Sequence, residues 1–245
     1  MSAVSPIAIL SALAQEQAGL LDHLMGAKRQ QYAGREFWSG QLHGCPVVLA
    51  LSRIGKVAAS TTACALIERF GARGVVFTGV AGGVGDGVRV GDVVVGTSYI
   101  QHDMDASPLF PRYEVPLTGK SLFPGEADLT AQVLTATRLA LLDGGPDGQA
   151  QVHSGLIASG DRFVNGAQEV RQLVDSLRVA GYNPLAVEME GAAVAQVCSD
   201  HGVAFAAVRT ISDRADDTAH VDFTQFVTDV ASLSAQRIIT ALLQK

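Results

Sequence analysis

The side chains best suited to chemistry in this chain are acids placed where apolar segments end. In LAVEMEGAAVAQVC (185–198), Glu188 and Glu190 flank Met189 where a strand-like run gives way to a small-residue helix. Acidic side chains are almost never fully buried unless paired, so two among apolar neighbours need a reason. RTISDRADD (209–217) carries Arg209 and Asp213 at the exit of another apolar run, and Glu16 stands in the helix-like AQEQAGLLDHLM. A carboxyl group shielded from water keeps its proton to higher pH and can act as a general acid. An ionised one accepts hydrogen bonds and stabilises positive charge developing on a substrate. Each acid also has a bland reading. Glu16 fits helix-start electrostatics, and Arg209 with Asp213 fits a surface ion pair of little worth.

Two turns accompany these acids. TGVAGGVGDG (78–87) ends an apolar run in glycines. It is either a tight turn or a close backbone approach to a small ligand. SGDRF (159–163) ends another run, and its Phe163 either joins the core or stacks on a flat heterocycle. The glycine stretch does not match GxGxxG, IGKV (54–57) lacks the Walker spacing, and neither GxSxG nor HExxH occurs. His23, His43, His153 and His201 show no ligand spacing, while His102 and His220 fall in loops near the acid-bearing segments.

These residues need a frame. Strands are predicted over 6–10, within 34–52 as an antiparallel pair joined at QLHG, and over 74–83, 90–100, 152–160, 185–189 and 203–212. Helices are predicted over 14–25, 56–70, 126–143, 167–178, 190–202 and 223–245, with a long Pro- and aromatic-rich loop at 101–125. Continuous apolar strands alternating with helices imply a mostly parallel sheet covered on both faces, in one α/β domain spanning 1–245. Ligands of such sheets sit beyond the carboxyl ends of the strands, where the acids and turns fall.

The bulk properties agree. The 245 residues are 48% hydrophobic and 17% charged, with net charge −6 and no basic block. A large core is affordable, and nucleic-acid binding has no electrostatic footprint. No apolar run reaches the ~18–20 residues of a membrane span. The N-terminus reads as a first strand, not a signal peptide. Cys45, Cys64 and Cys198 form no metal spacing and read as reduced thiols of a cytoplasmic protein.

SALAQEQAGL, IGKVAA, TGVAGG, VGDVVV, HDMDASPL, ASGDRFVNG, AVEMEGAAVAQVC and VRTISDRAD, in this order, resemble the purine nucleoside phosphorylase-like superfamily. More closely, they are similar to the 5′-methylthioadenosine/S-adenosylhomocysteine nucleosidases. The resemblance implies a three-layer α/β/α sandwich around a mixed sheet, a homodimer, and no metal or organic cofactor. It also implies hydrolysis of an N-glycosidic bond to adenine and a 5-thio-substituted ribose. By the same resemblance, Asp213 protonates adenine, Glu16 positions the attacking water, and Arg209 lies near that water. Glu190 takes the ribose hydroxyls, Met189 packs on the sugar, Phe163 stacks on adenine, and the Val164 backbone reads the purine edge. Leu13, Ile54 and Phe223 wall the 5′-thio group, closed by the partner's 101–125 loop. Val80 and Gly82 belong to the glycine turn, and Glu188 is either a support of the site or a direct participant.

One departure stands out. Val80 occupies a position that is usually Ser in the family, so a side-chain hydrogen bond is lost there. A phosphate-using relative would need Ser and Arg around this turn, and FTGVAGG offers neither. Water is therefore expected as the nucleophile. A phosphorylase, a hydrolase of futalosine-type nucleosides and a non-catalytic nucleoside-binding protein are the alternatives.

Overall fold

The computed structural model describes residues 4–142, 150–215, 226 and 232–244. Ten strands form one mixed sheet. In chain order the elements are β1 (Ile7–Ser11), α1 (Ala14–Gln17), β2 (Met25–Tyr32), β3 (Arg35–Leu42), β4 (Cys45–Leu51), α2 (Lys56–Glu68), β5 (Gly74–Gly83) and β6 (Val93–Gln101). They continue with β7 (Leu122–Pro124), α3 (Ala127–Ala140), β8 (Val152–Ser159), α4 (Ala167–Val179), β9 (Pro184–Glu188), α5 (Gly191–His201), β10 (Ala204–Asp213) and α6 (Ser232–Leu243).

Alternation along the central strands explains why their sequences are apolar throughout. Successive strand side chains point to opposite faces. Ala8, Leu10, Val75, Phe77, Phe205 and Ala207 face one layer, with Ala59, Ala63 and Leu66 of α2 and Ala192, Ala195 and Cys198 of α5. Ile9, Val76, Ala206 and Val208 face the other, with Leu129 and Val133 of α3 and Ile238, Ile239 and Leu243 of α6. Both faces are covered, giving the expected α/β/α layering.

The sheet runs β10-β6-β8-β9-β5-β1-β4-β3-β2, and β10 pairs with β5 as well. Strand β5 lies beside β1 through Gly74–Phe77, then bends to meet β9 at Gly82 and Gly83. Strands β5, β10, β6, β8 and β9 thereby close into a ring. Parallel pairs occupy the centre, and antiparallel pairs join β10 to β6, β5 to β9 and the peripheral strands.

Three segments depart from the sequence reading. The helix expected over 14–25 lasts only from Ala14 to Gln17. Ala18, at ψ 140°, takes the chain out of helical geometry, Gly19 follows at φ +84°, and turns then bury Leu20 and Leu24. β2 was not predicted. Every one of its residues is exposed, so it carries no apolar alternation, and it is held by pairing with β3. The 101–125 loop contains β7, which pairs with β6 and buries Phe123. The helix expected over 223–245 is described from Ser232 to Leu243. No helix of the described residues is long and apolar enough to cross a membrane.

Candidate active site

At the carboxyl ends of the ring strands lies a cavity of about 290 Å³. Its wall brings together Leu13, Glu16, Ile54, Val80, Gly82, Phe163, Val164, Glu188, Met189, Glu190 and Asp213 from six separate stretches of chain. Arg209 is not on the wall, and Phe223 and His220 lie outside the described residues.

Glu16 is buried in the single turn of α1. Its Oε2 accepts from the N–H groups of Ala12 and Leu13, both at 2.8 Å, and its Oε1 accepts from Val80 N–H at 3.1 Å. This close approach to β5 requires a glycine at 79, because a Cβ there would lie 2.8 Å from Oε1. Burial raises the pKa of Glu16 against the opposing pull of Leu13 N–H, Arg209 and the other two N–H donors. The Val80 side chain donates nothing, as expected. Its main-chain N–H does hold Glu16, while its methyls pack on Leu13 and Phe226.

Asp213 ends β10, is almost wholly buried, and accepts from Ala215 N–H on Oδ1 and from Ser212 Oγ–H on Oδ2, each at 2.7 Å. The pairing of β10 with β5 slips between Ile211 and Asp213. Strict alternation would send Ser212 and Asp213 to opposite faces, and the bulge turns both to the cavity wall. Gly82 makes room for this, since a Cβ there would meet Ala215 Cβ at 2.9 Å and Asp213 Oδ1 at 3.0 Å.

Glu190 is the residue before α5. Its Oε1 accepts from Gly55 N–H at 2.7 Å. Burial, then repulsion by Glu188, pushes its pKa up to about 8, with Gly55 N–H and Arg209 pulling the other way. Gly55 is itself braced. Lys56 Nζ donates to Asp103 Oδ1 at 2.6 Å and to Gln101 Oε1 at 3.1 Å. Lys56 N–H bonds Asp161 Oδ1 at 2.7 Å, and Asp161 N–H bonds Asp103 Oδ2 at 2.9 Å. The loops after β6 and β8 therefore hold the start of α2 over the cavity.

Glu188 answers the question raised by two neighbouring acids. It accepts from Ser159 Oγ–H, from Gly191 N–H at 2.9 and 3.0 Å, and from Glu190 N–H at 3.3 Å. Arg209 Nη2 and Nε reach the same carboxylate at 2.8 and 3.3 Å. Arg209 also donates from Nη1 to the Phe77 carbonyl at 2.8 Å and lies over the Phe77 ring, 4.2 Å from its centroid. The resemblance implied a place for Arg209 near the water. The structure sets its guanidinium behind the wall, because Glu188 and the Phe77 carbonyl take its donors.

Phe163 is part-exposed at the cavity mouth, with Val164 buried behind it, and Met189 is partly buried beside Glu190. Sequence reasoning missed Gly55 N–H and gave Ser159 and Ser212 no role of their own. Ser159 opens SGDRF and Ser212 directly precedes Asp213, so adjacency was their only signal. Cys198 is buried, Cys45 and Cys64 are partly so, and none is in a disulfide. His102 packs against Gly160 away from the cavity, and burial lowers its pKa.

The ring frame and the acids gathered at its mouth define an α/β protein with a carboxylate-bearing small-molecule cavity. A family model described as "Phosphorylase superfamily" matches residues 6–244. A 5′-methylthioadenosine/S-adenosylhomocysteine nucleosidase of Mycobacterium bovis is 36% identical over 96% of this chain and 96% of its own. One from Bacillus thuringiensis is 37% identical over 98% of each. Among solved structures, the Neisseria meningitidis nucleosidase in complex with methylthio-immucillin-A superposes with TM-score 0.88 at 33% identity. It covers 98% of this chain and 99% of that one. A Colwellia psychrerythraea nucleosidase in complex with adenine gives 0.87 at 31% identity, covering 98% and 94%. The chain belongs to the phosphorylase superfamily and, within it, to the 5′-methylthioadenosine/S-adenosylhomocysteine nucleosidases, which are N-glycosyl hydrolases.

Proposed function

We propose that this chain hydrolyses the N-glycosidic bond of 5′-methylthioadenosine and S-adenosylhomocysteine, releasing adenine and a 5-thio-substituted ribose. The observation that carries this reading is the convergence of Glu16, Glu190 and Asp213 on one otherwise largely apolar cavity with Phe163 at its mouth. Asp213 gives its proton to adenine N7, which turns adenine into a neutral leaving group. The C1′–N9 bond breaks, and positive charge spreads over C1′ and the ring oxygen. Glu16 takes a proton from water as the water oxygen bonds to C1′. A buried carboxylate with a raised pKa suits that task, because a general base works best when its pKa lies near the working pH. Glu190 accepts from the ribose hydroxyls. Buried beside Glu188, it has no ion-pair partner among the described residues of the free site, so positive charge developing on the ribose draws it to the ionised form and is favoured over the neutral ground state.

Water is preferred to phosphate because, among the described residues, the lining of the nucleoside cavity offers no uncommitted cation to hold a dianion. Arg209 is committed to Glu188 behind the wall, and Arg162 at the mouth pairs with Glu169 at 2.7 Å. We also propose that the chain acts as a single unit and pairs with a second copy. That copy would cover the exposed Ile54, Val57, Leu109 and Leu117 and bring its 101–125 loop to the cavity. Three unpaired thiols support a cytoplasmic setting.

The test is adenine release from methylthioadenosine in phosphate-free buffer, with the sugar product identified. Free methylthioribose without phosphate is expected. A requirement for phosphate, with a sugar phosphate as product, would overturn the hydrolytic reading.

A further inference from the structure

We infer that a second cavity beside the nucleoside cavity receives a carboxylate at the end of the substrate's 5′ substituent, held by Arg35 and Arg53. The inference deepens the proposed function and rests on it. This cavity, of about 940 Å³, shares Ala12, Leu13 and Ile54 with the nucleoside cavity, so the two meet at the wall assigned to the 5′ group. Its far side is the tip of the β2–β3 hairpin together with Trp38 and Arg53.

Three charged side chains face this space: Arg35, Arg53 and Glu36. Glu36 is already engaged by Arg29, whose hydrogen bond holds its carboxyl below the usual range. The two guanidiniums have only carbonyl partners. Arg35 donates to Ala33 O at 2.8 Å and to Ala58 O at 3.1 Å, and Arg53 donates to Gly34 O at 2.6 Å. Carbonyls orient a guanidinium without neutralising it. Among the described residues no carboxylate lies within 4.0 Å of either one, and Arg35 Nε is buried with no partner. Burial, and next the charge of Arg53, lowers the pKa of Arg35, so the like charges feel each other. Arg53 also sits at φ +67°, a conformation that L side chains rarely adopt. The Ser52 hydroxyl donates to the Arg53 carbonyl at 2.7 Å and helps fix it. Two like charges held side by side beyond an apolar neck fit an anion that arrives on an apolar stem.

A thioether chain ending in an amino acid has that form. Its methylene and sulfur atoms pass Leu13 and Ile54, and its carboxylate meets a fork of N–H donors. A methylthio group stops at the neck. The arginines thus add affinity for the amino-acid-bearing nucleoside and none for the methylthio one.

The experiment measures dissociation constants for S-adenosylhomocysteine, its carboxyl methyl ester and methylthioadenosine. It uses Asp213→Asn protein, alone and combined with Arg53→Gln or Arg35→Gln. Unmodified protein is assayed for adenine release in parallel. The ratio of affinities, acid over ester, is expected to fall about tenfold with either arginine variant, the size of one charge-assisted hydrogen bond. It should also shrink as salt rises from low to high ionic strength. An unchanged ratio overturns the assignment. So does equal weakening of all three ligands together with loss of oligomer mass, which would mean that the arginines face a protein carboxylate. If unmodified protein releases no adenine from any of the three, the proposed function fails, while the affinity ratio still decides the role of the arginines.

Discussion

Replacing Arg209 with Met separates a positioning role from a catalytic one. Arg209 is 2% exposed and gives two donors to Glu188 and one to the Phe77 carbonyl. Met fills similar space, including the face of Phe77, and removes the charge and every donor. Glu188 would keep its bonds to Ser159 and to the N–H groups of Glu190 and Gly191, yet its charge would be buried without a cation. Breaking a buried pair from one side costs about 3–5 kcal/mol. At ~2–4 °C per kcal/mol for a chain of this size, the melting temperature should fall by roughly 6–20 °C. Glu188 also anchors the start of α5, and Glu190 with it. At 25 °C the surviving folded protein should therefore lose about tenfold in kcat/KM, mainly through KM. Adding Glu188→Gln removes the stranded charge and should recover at least about 1.5 kcal/mol of the loss, as coupled partners do. The assay is urea and thermal denaturation of both singles and the double, alongside adenine release. A thousandfold fall in kcat with an unmoved denaturation midpoint would place the guanidinium at the reacting atoms and refute this reasoning. Purely additive stability losses would refute the pairing.

Asp213→Asn and Glu16→Gln each remove one proton-transfer group and should lower kcat by about 10²–10⁴-fold, with binding of adenine nucleosides retained in a direct titration. Near-normal turnover in either variant would remove that residue from the chemistry. Glu190→Gln should weaken substrate binding and yet stabilise the fold at alkaline pH. The folded pKa of Glu190 is raised, so the stability it contributes is present below its unfolded pKa near 4.5 and lost as pH rises through about 8. The Gln variant should therefore exceed the native chain by roughly 2–4 kcal/mol at pH 9 and match it near pH 4.5. Equal urea midpoints at both pH values would show that the carboxylate is not under strain.

The parts of the fold visible in the sequence were those whose physics is local or periodic. β1, β5 and β10 are buried on both faces, and unbroken apolar runs say so. The acids stood out because they interrupt such runs at strand ends, where a parallel sheet puts its ligands. β2 had no such signature. It is stabilised by pairing with β3, and backbone pairing leaves no mark on side-chain identity. The first helix was overdrawn because the apolar spacing of Leu20 and Leu24 survives the turn at Gly19. The direction of Arg209 depends on where Glu188 and the Phe77 carbonyl lie in space, a tertiary fact that one sequence cannot state. Gly55 was missed because its contribution is a main-chain N–H, which nearly every residue type possesses.

That last point reaches further than one glycine. Glu16, Glu188, Glu190 and Asp213 each accept at least one hydrogen bond from a main-chain N–H. A point mutation cannot delete such a donor, except by introducing proline. The aim of the acids is therefore shielded from most inherited change in the residues that hold them. Lineages can drift at positions such as Val80, altering the shape of the wall while the proton chemistry stays in register. In such a site, selection on substrate preference and selection on catalysis act on different atoms of the same residue.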